Sequence, residues 1–140
     1  MINLSNYSTR VGLAVEQEDH SLAALGRLQS AHLTAIPFEN LDVLADRGVR
    51  IDLASIEDKL VNGRRGGYCF EQNRLFANVL EQLGWEVRTL SARVRRGNRG
   101  LTALTHMTLE VTVERVPYLV DVGFGGYGAL VPVPFTGSPV

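Results

Sequence analysis

The sequence predicts an α+β protein, an N-terminal helical bundle followed by an antiparallel β-sheet or partial β-barrel. Three observations carry this. Apolar residues recur at helical spacing up to Gly84, they alternate with a period of two after it, and the last nine residues hold three prolines. The change of period divides the 140 residues into a helical domain, 1–84, and a sheet domain, 85–140.

Leu22, Leu25, Leu28 and Leu33 form the apolar stripe of a first helix, with Asp19 or Ser21 as its cap. Pro37 disfavours helical backbone at Ile36 and ends it. A second helix starts at the cap residue Asp52, carries Leu53, Ile56, Leu60 and Val61, and stops at Asn62-Gly63. A third starts near Cys69 and presents Leu75, Phe76, Val79, Leu80 and Leu83 on one face before Gly84 closes it. Residues 85–94, 106–113 and 116–124 read as strands, with a Gly/Asn/Arg loop over 95–102. The proline-rich tail from Val131 is excluded from the centre of a sheet. It is an edge, a linker or an early end.

A net charge of −1 gives no general attraction to nucleic acid or an anionic membrane. Arginine clusters locally, at Arg64-Arg65 and at Arg93, Arg95, Arg96 and Arg99, as a solvated loop or a seat for one phosphorylated small molecule. The single cysteine excludes an internal disulfide and fits a reducing compartment. No apolar run approaches the ~20 residues of a membrane span, and the first residues lack a signal-like stretch, so a cytoplasmic protein is expected. One cysteine and three scattered histidines do not make a zinc site, and no metal is expected. His20 and His32 read as surface or packing residues beside the first helix. The glycines at 123, 125, 126 and 128 do not follow a strand-to-helix phosphate motif.

The chemistry centres on Cys69. A free cysteine is ordinarily buried and inert, but this one follows Arg64-Arg65-Gly66-Gly67 and opens an amphipathic helix. A helix N-terminus and nearby guanidinium groups favour a thiolate, the form a nucleophile needs. A hairpin turning at Glu114-Arg115 would pair Met107 with Val122, Leu109 with Val120 and Val111 with Tyr118, one apolar face. The opposite face carries His106, Thr108, Glu110, Asp121 and Gly123, with His106 and Asp121 as diagonal neighbours about 7–8 Å apart. Glu-Arg is not a favoured two-residue turn. A histidine held by a carboxylate accepts a thiol proton, so Cys69, His106 and Asp121 form a candidate Cys-His-Asp triad, arranged as in cysteine proteases.

These residues lie in segments that resemble the arylamine N-acetyltransferases. The segments are Tyr-Ser-Thr-Arg-Val-Gly (7–12), His-Leu-Thr-Ala-Ile-Pro-Phe-Glu-Asn-Leu-Asp (32–42), Arg-Arg-Gly-Gly-Tyr-Cys-Phe-Glu-Gln-Asn (64–73), Ser-Ala-Arg-Val (91–94), Thr-His-Met (105–107) and Val-Asp-Val-Gly-Phe-Gly-Gly (120–126). The resemblance implies ping-pong transfer of an acetyl group from acetyl-CoA, as co-substrate, through a Cys69 thioester to an arylamine or arylhydrazine. It implies that His106 is the base and Asp121 its orienting carboxylate. Phe38, Phe124 and Tyr127 would line the acceptor pocket, Thr102 and Ala103 would lie near the thiol end of CoA, and Arg64 and Glu39 would form a supporting ion pair. Family members are about twice as long, so the resemblance implies a truncated second domain, an absent third (lid) domain and an exposed sheet edge open to self-association. An amide synthase with the same triad and a catalytically inactive fragment are the alternatives.

Overall fold

The computed structural model describes residues 1–15, 19–97 and 100–135. Arg99 and the last five residues of the tail lie outside the described residues. Helices occupy the first part, and a four-stranded antiparallel sheet in the order β1-β2-β3-β4 occupies the second.

Helix α1 (Leu4–Val11) has no counterpart among the sequence expectations. Asn3 caps it by accepting from the Asn6 N–H, and Gly12, at φ 68°, ends it. Helix α2 (Leu22–Ala35) starts at Ser21, whose hydroxyl accepts from the Ala24 N–H. Asp19 instead accepts from Ser21 N–H and pairs with Arg27. One turn, α3 (Leu41–Leu44), follows the proline. The helix expected from Asp52 begins as α4 (Leu53–Ile56) and widens into a π-helical stretch, Glu57–Asn62. Helix α5 (Cys69–Gln82) has the expected start, apolar face and glycine stop.

Strand β1 (Glu86–Arg93) pairs with β2 (Leu104–Val113), which pairs with β3 (Val116–Val120). The hairpin has the expected register, with Leu109 opposite Val120 and Val111 opposite Tyr118. Its two turn residues, Glu114 and Arg115, take φ of 49° and 70°. This is the doubly left-handed geometry that suits the twist of paired strands. The expected strand 116–124 is cut short at Val120. The Val122 N–H goes to the Asn73 side chain and the Gly123 N–H to Asp121, so neither is left for the ladder. The proline tail supplies a two-residue edge strand, β4 (Val133–Pro134), on β3.

Helix α5 lies across β1 and β2. Leu25 and Leu28 of α2, Leu75, Phe76 and Leu80 of α5, and Leu109, Val111 and Val120 of the sheet share one core. Among the described residues no helix is long and apolar enough to cross a membrane.

Candidate active site

The turn before Cys69 is built by docking two chain segments. Residues 36–39 lie along 66–67, joined by Gly67 N–H to Pro37 C=O (3.3 Å) and Glu39 N–H to Gly67 C=O (3.0 Å). A Cβ at Gly66 would stand 2.1 Å from the Pro37 carbonyl oxygen, so only glycine permits the approach. Arg10, buried, draws the same turn inward. Its guanidinium donates to the carbonyls of Ala35 (2.6 Å), Leu60 (2.9 Å), Arg64 (3.3 Å) and Arg65 (3.4 Å). Ala35 ends α2 and Leu60 lies near the end of the π turn, and backbone carbonyls at helix ends favour a cation.

Helix α5 is capped from within. The Glu71 carboxylate accepts from the Tyr68 N–H at 3.0 Å and from Lys59 Nζ at 2.8 Å. Lys59 also meets Asp42 at 2.9 Å, and Arg65 meets Glu39 at 2.7 Å and Asp42 at 3.0 Å. Burial opposes the charge on Lys59, but its bonds to Glu71 and Asp42 prevail and raise its pKa. This corrects the expected Arg64–Glu39 pair. Arg65 is the partner of Glu39. Arg64 takes φ 53°, its side chain is exposed, and it makes no ion pair among the described residues.

Cys69 is the first residue of α5 and, with His106 and Asp121, is almost closed to solvent. His106 Nε2 lies 2.5 Å from Asp121 Oδ2. Asp121 occupies Nε2, and Cys69 is near enough to favour the charged imidazole. Burial pushes the His106 pKa down, but the bonds to Asp121 and Cys69 outweigh it and raise the pKa to about 9. The structure therefore brings together the three residues singled out in the sequence. It does so with a bulge. Ala92 faces His106 but Arg93 faces Leu104, so Thr105 is the extra residue of β2, next to the histidine. The Thr105 carbonyl, out of the regular ladder, faces Cys69 Sγ at 3.9 Å.

Asn73 is the site residue that the sequence reading passed over. It is fully buried, and its amide nitrogen donates to Asp121 Oδ1 (3.0 Å) and to the Met107 carbonyl (2.7 Å). Its oxygen accepts from the Val122 N–H at 3.1 Å. Asn73 stands four residues after Cys69 on the same helix, so it shares the face of Cys69, and that spacing is a readable signal. Gly123 completes the contact. A Cβ there would lie 2.7 Å from both the Cys69 Cα and the Asn73 amide nitrogen.

A cleft opens beyond His106, bordered by Ala92, Arg93, Leu119, Phe124, Tyr127 and Ala129. The Phe124 ring meets the imidazole edge to face at 5.1 Å. The Phe38 ring covers Gly125, whose added Cβ would sit 3.5 Å from it. Phe38 thus packs against the residue that follows Phe124, and both rings are exposed. Tyr127 borders the cleft but is 97% exposed. Thr102 holds the Arg93 guanidinium through its carbonyl, and its hydroxyl is buried without a partner among the described residues. Ala103, next to it, is exposed at the approach to the bulge. Of the other histidines, His20 is exposed against Trp85, and His32 is fully buried and hydrogen-bonded through both nitrogens. Among the described residues no group of three or more His, Cys, Asp or Glu could hold a metal ion.

A family model described as N-acetyltransferase matches residues 21–140. The arylamine N-acetyltransferase of Escherichia coli K12 is 46% identical over 114 residues, which are 81% of this chain and 41% of that protein. The arylamine N-acetyltransferase structure from Salmonella typhimurium superposes with a TM-score of 0.91 at 40% identity, over 97% of this chain and 50% of that one. The Mycobacterium marinum enzyme, solved in complex with CoA, gives 0.88 at 41% identity, over 99% and 52%. The chain thus spans about half the length of the relatives it matches. With the family model covering most of its length and helices, sheet and ordering of segments shared with these structures, this chain belongs to the N-acetyltransferase family that includes the arylamine N-acetyltransferases.

Proposed function

We propose that the chain is an acetyl-CoA-dependent arylamine N-acetyltransferase working through an acetyl-Cys69 intermediate. The observation that carries this is the contiguous array Cys69–His106–Asp121 at the start of α5. His106 takes the thiol proton, and its charge is stabilised by Asp121. The Cys69 thiolate attacks the acetyl carbonyl of acetyl-CoA. The C–S bond to CoA breaks, and the departing CoA thiolate takes the proton from His106. An arylamine nitrogen then attacks the Cys69 thioester and passes its proton to His106. Collapse of that adduct releases the amide and Cys69. Phe38 and Phe124 are the aromatic wall for the acceptor, with Tyr127 at its rim. Thr102 and Ala103 lie on the side where the acyl donor approaches. Residues 1–84 carry the nucleophile, and 85–140 carry its base and carboxylate.

The test is intact-protein mass spectrometry after incubation with acetyl-CoA. One acetyl increment on Cys69, lost on adding an arylamine, is expected. No adduct between about pH 6 and 9 would remove the reading.

A further inference from the structure

Beneath the nucleophile turn runs a chain of polar side chains that the proposed mechanism does not use. Tyr7 OH of α1 lies 2.9 Å from His32 Nδ1 in α2, and His32 Nε2 lies 2.8 Å from Gln72 Oε1 in α5. Gln72 Nε2 reaches the carbonyls of Ile36 (3.2 Å) and Pro37 (2.9 Å). Tyr7, His32 and Gln72 are each 0% exposed. Such a network is costly unless every member is satisfied, so its direction is determined. Carbonyls only accept, so the Gln72 NH₂ faces them and its oxygen faces His32. His32 must then carry its proton on Nε2. Its Nδ1 accepts, and the Tyr7 hydroxyl is the donor.

Everything at the end of this line bears on the Phe38 strip. The Pro37 carbonyl held by Gln72 also accepts from the Gly67 N–H, and Phe38 bridges Gly67. We infer that Tyr7, His32 and Gln72 are positioning residues for the acceptor wall: a one-way relay in which the two carbonyls set the Gln72 amide, its oxygen sets the His32 tautomer, and the Tyr7 hydroxyl, donating to Nδ1, anchors the imidazole that holds the Gln72 amide docking the Phe38 strip on the nucleophile turn. The assignment of an acceptor to Phe38 rests on the function proposed above, but the docking does not. Without the Tyr7 hydroxyl, the His32 Nδ1 acceptor loses its buried donor and the imidazole loses its anchor. Its hold on the Gln72 oxygen slackens, and with it the hold of the Gln72 amide on the Ile36 and Pro37 carbonyls.

Tyr7→Phe keeps the ring and removes only the hydroxyl. In the parent, nitrogen NMR should show His32 protonated on Nε2 alone. In Tyr7→Phe, the Gly67 amide should exchange at least tenfold faster while Val79 and Leu80 amides keep their rates. Acetylation of Cys69 by p-nitrophenyl acetate should stay within twofold, while the arylamine concentration for half-maximal deacetylation should rise about fivefold. Gln72→Met should reproduce this pattern. A parent His32 protonated on Nδ1, an unchanged Gly67 amide, or equal losses in both half-reactions would overturn the relay. If the parent takes no acetyl group, the proposed function fails, and the tautomer and Gly67 exchange still decide for or against the relay.

Discussion

Asn73 holds Asp121 by one oxygen while His106 holds the other. Replacing it with alanine leaves the Met107 carbonyl and the Val122 N–H buried and unpaired, and deprives the carboxylate of a donor. Asn73→Ala is therefore expected to cost about 3 kcal/mol in urea unfolding and to let the His106 pKa fall from about 9 as Asp121 loses its fixed orientation, read by NMR titration of the imidazole. Gly66 acts through what it lacks. Gly66→Ala sets a methyl 2.1 Å from the Pro37 oxygen, and an overlap with backbone has no rotamer to relieve it. A loss of about 3 kcal/mol by urea unfolding is expected.

At the scale of elements, the β2–β3 turn stores strain without a special residue to absorb it. Glu114 and Arg115 both take positive φ, at about 1 kcal/mol or more each for an L-residue. Glu114→Asn with Arg115→Gly, a pair suited to this turn, should raise stability by about 1 kcal/mol and leave the hairpin register unchanged. A lower urea midpoint would contradict this. The hairpin also shows what was legible beforehand. Its register follows from apolar residues on both strands, because a one-residue slip would expose them. Where β3 ends was not legible, since the groups that stop it belong to Asn73, 49 positions away along the chain from Val122. The π turn was hidden for a like reason. Its wide backbone bonds, Gly63 N–H to Asp58 and Arg65 N–H to Lys59, accompany the Lys59 contacts to Glu71 and Asp42. Two adjacent arginines likewise offered Glu39 two candidates, and only the backbone twist at Arg64 selects Arg65.

Over the whole molecule, two buried histidines titrate in opposite senses. Burial lowers His32 to about 4, against an ordinary 6.5. The unfolded chain binds a proton there that the folded chain refuses, so stability falls as pH drops from about 6.5 to about 4, by on the order of 3 kcal/mol. His106 is raised to about 9. Its contribution is whole below about 6.5 and is lost as pH climbs towards 9. Denaturation across pH should therefore show a maximum near 6.5. His32→Gln should flatten the acid limb and His106→Gln the alkaline one. A curve whose limbs ignored both substitutions would refute this assignment. The juxtaposition of Cys69, His106 and Asp121 was legible from the cysteine at a helix start and the diagonal pair on a hairpin face. The buried supports behind it were not, because Tyr7, His32 and Gln72 come from three helices and become neighbours only in the folded core.

Asn73 has a mechanical consequence. The same helix that presents Cys69 also grips the carboxylate and the ends of both strands, one turn further along. A displacement of α5 relative to the sheet therefore drags Cys69, Asp121 and His106 together, and the error is common to all three. The Phe38 strip hangs from the same turn by one long side chain, Gln72, which faces the Pro37 carbonyl and not the sheet. Deformation of this fold should accordingly loosen the Phe38 strip well before it disturbs the alignment of Cys69, His106 and Asp121.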